Sequence, residues 1–384
     1  MNIILFDGEE WENLLPLTFT KPIASLRMGA LSFGERWEKL LKSKISHQTQ
    51  PYLQEKYPIQ LQTENLFINP SFFPTVELVD KIKNIELNQS ILYKNHLVAV
   101  KTTDKIPTKS SNSINLEKDI IHIKNSWDLF TYNFQAIEFD FDLLTEGRKS
   151  EPISDTNRVL NPERIFIEKG AKVEFSILNA TEGSIYIGKD TEIMEGSMIR
   201  GSLALCENAK INMGSKIYSG CTIGPYCKVG GELNNAILTA YSNKGHDGFL
   251  GNSVIGEWCN LGADTNTSNL KNNYAEVKLW NYKENRFIKT GLQFCGLIMA
   301  DYSKSAINTQ FNTGTVVGVA ANIFQVGFPP NLVKHYSWGG KSDSPIFTFD
   351  KACEAAEKMM ERRKIELSSI DKNILEYIFK LNNN

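Results

Sequence analysis

A beat of six restricts this chain more than any other feature. From Ile185 to Val229 the large aliphatics fall at Ile187, Ile193, Ile199, Leu205, Ile211, Ile217, Ile223 and Val229, each six residues after the last. Two residues before each stands a second, mostly small series that includes Thr191, Ser197, Ala209, Ser215, Cys221 and Cys227. A helix repeats at roughly 3.6 residues and a strand at about 2, so neither accounts for the pattern. A parallel β-helix does. Each hexad is one short strand and a corner, three hexads close a triangular coil, and stacked coils bury a continuous core. The reading is a left-handed parallel β-helix of hexapeptide repeats. The beat returns at Ile167 and Val173, at Ile255 and Leu261, and at Met299, Phe311, Val317 and Ile323, with Ser305 as a polar exception. Phase slips between Val229 and Ile255, and between Leu261 and Met299, mark insertions. Loops on such scaffolds often carry binding residues.

The 384 residues leave room for two or three domains. Hydrophobic content of 41% and charged content of 22% fit a globular protein. A net charge of −2 offers no footprint for nucleic acid and no polybasic membrane patch. The start, Met1 to Asp7, lacks a basic leader, and no apolar run approaches the ~20 residues of a membrane span. All six cysteines lie beyond residue 200, and Cys221, Cys227 and Cys259 occupy the small inward series. They read as small hydrophobes rather than disulfides or metal ligands, and a cytoplasmic compartment is expected.

Before the beat the chain reads as an α/β unit. Asn2 to Phe6 is a strand, Leu26 to Leu41 shows helical spacing, and residues 42–62 carry little pattern. Leu66 to Ile68 reads as a strand and Val76 to Ile82 as a helix. Ser90–Tyr93 and Leu97–Val100 read as a hairpin, and 101–119 as a surface excursion. Ser126 can cap a helix with Phe130, Phe134, Ile137, Phe141 and Leu144 on its apolar face and Asp140 and Asp142 on its exposed face. The expected domains are 1–150, an α/β domain; 151–335, the β-helix, with its beat ending near Phe324; and 336–384, a helical tail that caps the last coil.

Between two blocks of coil lies a polar, glycine-rich run, Ser242-Asn243-Lys244-Gly245-His246-Asp247-Gly248-Phe249-Leu250-Gly251. One turn later comes Asn260-Leu261-Gly262-Ala263-Asp264-Thr265-Asn266-Thr267-Ser268-Asn269. His246 falls at a corner, outside both inward series. Periodicity alone divides it between a hydrogen-bonded packing residue and a functional one. These runs resemble the acetyltransferase domain of the bifunctional UDP-N-acetylglucosamine pyrophosphorylase/glucosamine-1-phosphate N-acetyltransferase family. That family carries K-A-G-H-x-x-Y-[LI]-G, then N-[LIV]-G-A-G-T, then C-N-Y. The whole chain more closely resembles a short variant branch with a reduced amino-terminal nucleotidyltransferase-like domain, which Leu14-Leu15-Pro16-Leu17-Thr18-Phe19-Thr20-Lys21-Pro22 supports.

The resemblance implies an acetyl-CoA-dependent N-acetyltransferase acting on glucosamine-1-phosphate or a related amino sugar phosphate. It implies coupling to nucleotidyl transfer from UTP that makes UDP-N-acetylglucosamine, a cell-envelope precursor. His246 falls on the catalytic histidine. Its imidazole would take a proton from the attacking amine, as a group of unperturbed pKa about 6.5 can at neutral pH. Asn260 and Asn269 fall on acceptor-site asparagines, Asn243 and Asn266 stand in the same runs, and Gly262 and Ala263 fall where the cofactor lies. The family tyrosines are replaced by Phe249 and Leu270. For the sugar phosphate the candidate cations are Arg200, Lys228, Lys244, Arg286 and Lys289. A homotrimer with CoA in the seam between subunits is implied. In the amino-terminal domain, Lys21 and Arg27 are candidate nucleotide contacts and Asp7 a candidate Mg²⁺ ligand. Yet the glycine-rich phosphate loop is here Phe6-Asp7-Gly8-Glu9-Glu10-Trp11-Glu12-Asn13, whose one glycine and three glutamates make a poor phosphate cradle. An acetyltransferase with an inactive amino-terminal domain and a non-catalytic scaffold stand as alternatives. A zinc carbonic anhydrase needs three histidines across a seam, and the expected coil supplies only His246, with His335 beyond it.

Overall fold

A computed structural model describes residues 2–382. The chain forms two compact units. One comprises the chain up to Leu26 with Leu31–Asn125; the other comprises Arg27–Ala30 with the chain from Ser126 onward. Among the described residues no helix is long and apolar enough to cross a membrane.

The first unit is an α/β fold around a six-stranded sheet. Strand β1 (Asn2–Phe6) runs parallel to β2 (Ile45–Gln48) on one side and to β3 (Asn65–Ile68) on the other. Beyond β3 come β5 (His96–Thr102), β4 (Gln89–Tyr93) and β6 (Asn112–Asn115), so the order is β2-β1-β3-β5-β4-β6. Strands β2 and β6 lie in the stretches that carried no pattern. Both are edge strands, short and polar, and their pairing comes from backbone rather than apolar alternation. Helix α1 (Glu10–Asn13) follows β1 at once. Helix α2 (Phe33–Leu41) is narrower than the helical spacing suggested, because Ser32 and Glu35 close a capping box that starts it there. Helix α3 (Val76–Lys83) buries Leu78, Val79 and Ile82 and leaves Val76 in solvent.

The second unit is a parallel β-solenoid. The inward series is buried as the beat requires: Ile187, Leu205, Ile211, Ile223 and Val229 are all 0% exposed. Each such side chain contributes about 1.5–3 kcal/mol of burial. The small series is buried too, with Ser197, Ser215, Cys221, Cys227 and Cys259 at 0%. All six cysteines are free. The coil begins at Arg158–Leu160 and runs past Phe324, since Trp338–Gly339 pairs in parallel register with Asn322–Ile323. The second phase slip is filled by an antiparallel hairpin, Lys278–Asn281 with Arg286–Lys289. One line of corners takes left-handed backbone with large residues, Tyr226, Tyr241 and Trp258, at φ 61, 54 and 59°. Their rings stack at 5.0 and 4.2 Å, which offsets part of the strain of that conformation.

The helix expected after Ser126 breaks in two, α4 (Asp128–Thr131) and α5 (Asn133–Thr145), and Ser126 makes no cap. Helix α5 docks on the solenoid. Asn133 is fully buried, donates to Gly220 O at 2.7 Å and accepts from Gly29 N and Thr222 Oγ1. Glu138 accepts from Ser184 N at 2.7 Å. Asp140, read as exposed, is 0% exposed, because the face that carries it is the docking face; Asp142 is exposed and pairs with Arg164. Helices α6 (Phe349–Glu361) and α7 (Ser369–Leu381) follow the last coil. They do more than cap it: Tyr336 Oη donates to Leu375 O, and Arg363, just past α6, reaches back to Tyr226 O at 3.2 Å.

One inward position breaks the aliphatic rule in a way the sequence pattern did not register. On the nine-stranded flank the inward column reads Ile193, Ile211, Val229 and then Lys244, with Leu261 on the coil after. Lys244 is 1% exposed, and its ammonium donates to the carbonyls of Gly230, His246 and Asp247 at 3.2, 2.7 and 3.0 Å. Burial pushes its pKa down to about 8, against the pull of Asp247 and Asp264. The folded value lies below the unfolded one of about 10.4. Between these pH values the unfolded chain holds a proton that the folded chain has lost, so this group's contribution to stability rises with pH across that window. Below it both states are protonated and the penalty is complete. The stability of Lys244→Met relative to wild type should therefore shift toward wild type by about 3 kcal/mol from pH 7 to pH 10.5, read from denaturant melts. A difference independent of pH would mean the ammonium is not desolvated.

Candidate functional site

Side chains one residue before that inward column point outward on the same flank. Parallel register aligns Lys210, Lys228, Asn243, Asn260 and Lys304 on successive coils. Parallel neighbours stand about 4.8 Å apart, so these side chains form one polar ladder. Three residues read from the sequence as substrate contacts, Lys228, Asn243 and Asn260, are thus brought together. Asn260 is exposed, and Lys228 and Asn243 are half-buried. Burial pulls the Lys228 pKa below the ordinary lysine range, and the charges of Arg363, Lys210 and Arg362 pull the same way; Glu192 opposes them. Glu192 is itself paired to Lys210 at 2.5 Å. Positive charge is therefore in excess here, and a bound anion would relieve it. Lys304 was missed by the sequence reading. Burial lowers its pKa too. The signal was Ser305, the polar exception, since its preceding neighbour must face outward on the same ladder.

His246 follows the Asn243–Lys244 strand at the corner and is exposed. Among the described residues its ring makes no hydrogen bond and no ion pair. The peptide that carries it is held from inside, because Lys244 donates to the carbonyl of His246 itself. Lys244 thus differs from its expected role: its ammonium is turned into the coil, occupied by three carbonyls, and does not face a ligand.

The remaining sequence candidates are placed elsewhere. Asn266 accepts from Phe249 N at 2.8 Å and donates to Asp264 O, which fixes one coil to the next. Asn269 Nδ2 donates to Asn252 Oδ1 at 2.8 Å. Gly262 donates its N–H to Ser305 O, and a Cβ there would collide with the Ala306 backbone; Ala263 O accepts from Asn308 N. Arg286 and Lys289 lie on the inserted hairpin and pair with Glu284 and Glu276. A cavity of about 980 Å³ lies by the hairpin and the last coil, lined by Lys271, Lys278, Lys334 and Lys341 among others. Neither His246 nor the ladder lines it.

In the first unit, Asp7 does not fit the Mg²⁺ role. Oδ1 accepts from Ile23 N at 2.8 Å and Oδ2 from Thr49 Oγ1 at 2.5 Å, so both oxygens hold loops in place. Burial raises its pKa to about 7, against those hydrogen bonds. Lys21 is 4% exposed. Arg27 belongs to the second unit, where it donates to Ala30 O and lies 4.0 Å from Cys206 Sγ. It is 9% exposed.

Comparison with known proteins finds likeness in both parts of the chain, and the amino-terminal match runs past Asn125 through helices α4 and α5 of the second unit. Residues 3–149 match the sugar nucleotidyl transferase family. The chain is 27% identical over 195 residues to a bifunctional sugar-1-phosphate nucleotidylyltransferase/acetyltransferase of Sulfurisphaera tokodaii, across 50% of this chain and 47% of that protein. It is 26% identical over 133 residues to the Bifunctional protein GlmU of Rippkaea orientalis, across 29% of each chain. With the Bifunctional protein GlmU of Methanocaldococcus jannaschii it shares 34% identity over 87 residues, 23% of this chain and 21% of the relative. The chain spans less than half the length of these curated relatives. The match of residues 3–149 to the sugar nucleotidyl transferase family, followed in the chain by a parallel solenoid, makes the chain similar to the bifunctional sugar nucleotidyltransferase/acetyltransferases.

Proposed function

We propose that the solenoid unit is an acetyl-CoA-dependent N-acetyltransferase acting on an amino sugar phosphate such as glucosamine-1-phosphate. The observation that supports it most is an exposed, unbonded histidine beside a cation-rich polar ladder. Lys228, with Lys304 as a second candidate, meets the sugar phosphate, and Asn243 and Asn260 hydrogen-bond the sugar. The amine nitrogen attacks the thioester carbonyl carbon. His246 takes the proton the amine must lose, and the C–S bond breaks as CoA leaves. The likeness to bifunctional acetyltransferases supports the same reading. A homotrimer completes the site at the seam between solenoids. Supporting it, Ile177, Met198 and Tyr218 leave 44, 45 and 44% of their surface exposed on one flank.

The amino-terminal unit does not transfer a nucleotide through loop 7–13 in this reading. The glutamates Glu9 and Glu10 stand where a polyphosphate would need donors, and the proposed Mg²⁺ and nucleotide contacts are occupied by packing.

His246→Ala should lower acetyl transfer by roughly 10²–10⁴-fold, the usual worth of a positioned base, while melting temperature and CoA affinity stay near wild type. A rate within about threefold of wild type would make His246 a surface residue. Light scattering should report a mass three times that of the chain; a monomer at working concentration sinks the shared seam. With UTP or dTTP, Mg²⁺ and N-acetylglucosamine-1-phosphate, the wild-type protein should release no pyrophosphate. Sustained release would restore the coupled, two-activity reading.

A further inference from the structure

The carboxyl end of β1 carries a second cluster of titratable groups. β1 is flanked by parallel strands on both sides, with the chain passing from β2 on one side to β3 on the other. In open α/β sheets such a reversal opens a crevice at the strands' carboxyl ends, where ligands bind. Here that end of the sheet holds carboxylates and imidazoles. Glu10, at the start of α1, is 3% exposed. His122 Nε2 stands 2.6 Å from its Oε1, and Asn69, just past β3, donates to its Oε2 at 3.2 Å. Burial pushes the Glu10 carboxyl up, but the His122 and Asn69 hydrogen bonds and the His122 charge outweigh it, so the pKa lies below the ordinary value. A Cβ at Gly8 would collide with Glu10 Oε2 and Asn69 Nδ2, so the one glycine of this loop makes room for the buried carboxylate.

Two histidines complete the cluster. His122 stacks on Phe72 with ring centroids 4.0 Å apart. Its side chain is 4% exposed, and Nδ1 is buried without a partner among the described residues. His96, the first residue of β5, packs edge-on against His122 at 5.1 Å, and its Nδ1 lies 3.0 Å from Glu9 Oε1. One oxygen each of Glu9 and Glu10 and one ring nitrogen of His96 all lie within 4.8 Å of one another.

We propose that Glu9, Glu10 and His96 form a binding site for a divalent first-row transition-metal ion, with His122 holding the Glu10 carboxylate from behind. Bonds to such an ion are about 2.0–2.2 Å, so the donor atoms must close to roughly 3–4 Å of one another. The required movement is small and falls on the exposed partners, since the Glu9 and His96 side chains are 63 and 35% exposed while Glu10 is fixed. Mixed carboxylate and imidazole donors suit Mn²⁺, Fe²⁺, Co²⁺ or Zn²⁺ and not Mg²⁺, which prefers oxygen and retained water. The open side of Glu9 and His96 leaves positions for water or for an anionic oxygen. Bound metal would thus let a cluster whose carboxylates repel phosphate accept it. The site rests on unit-one residues alone and does not depend on acetyl transfer.

The test uses the full-length, metal-stripped protein. Titration with Mn²⁺ and Co²⁺, followed by calorimetry and by the visible absorption of bound Co²⁺, should give one ion per chain. Glu10→Gln and His96→Ala should each abolish it, with far-ultraviolet circular dichroism and a cooperative thermal melt showing that the chain still folds. His122→Gln should weaken binding by about 10–100-fold without abolishing it, as the loss of a ligand's supporting hydrogen bond does. Glu9→Gln covers the case in which the buried Glu10 variant fails to fold, because Glu9 is exposed and supports no core. Absence of binding below about 1 mM, or binding that His96→Ala and Glu9→Gln leave unchanged in folded protein, overturns the proposal.

Discussion

Parallel stacking is the constraint from which the solenoid's other properties follow. Each residue sits over its counterpart on the coil before, so a choice made once is repeated along a column. Inward, the repetition builds the aliphatic stack of Ile193, Ile211 and Val229. Outward, it turns isolated polar residues into a ladder, and Lys228, Asn243, Asn260 and Lys304 become neighbours although the chain between them is long. The candidate site is therefore a property of register: a one-residue slip on any of these coils would exchange the inward and outward sets.

Lys244 shows how the fold uses an exception. A buried ammonium is costly unless its donors are satisfied. Here three carbonyls satisfy it, and two of them belong to His246 and Asp247. The cation thereby fixes the corner from within, on the coil where the outward face changes from lysines to asparagines. An aliphatic residue would pack better against Val229 and Leu261 but would leave those carbonyls without this donor.

Much of this was legible because the beat of six admits few folds, and because outward positions follow from inward ones by parity. The solenoid, its buried small series and the corner position of His246 came from that pattern alone. Lys244 did not, since its coil falls inside a phase slip and the beat cannot be extended through it. Its long side chain suggested solvent, whereas register put it inside. Helix α5 was read with the first unit because its apolar face says only that it packs, not on what; Asn133 and Glu138, bonded to Gly220 and Ser184, decide that. The Glu10–His122 pair joins residues far apart in sequence, and no local pattern links a loop glutamate to a histidine beyond β6.

The two units present opposite electrostatics where ligands would be held. The solenoid ladder gathers Lys210, Lys228, Arg362 and Arg363 with Glu192 as counter-charge, and suits a phosphate. The end of β1 gathers Glu9 and Glu10 against His96 and His122, and suits a cation. A triphosphate at the second place would have to be met by N–H groups, cations or metal. With Glu9 and Glu10 at that end of β1 and Arg27 packed in the other unit, an anion held there would be met through the proposed metal ion.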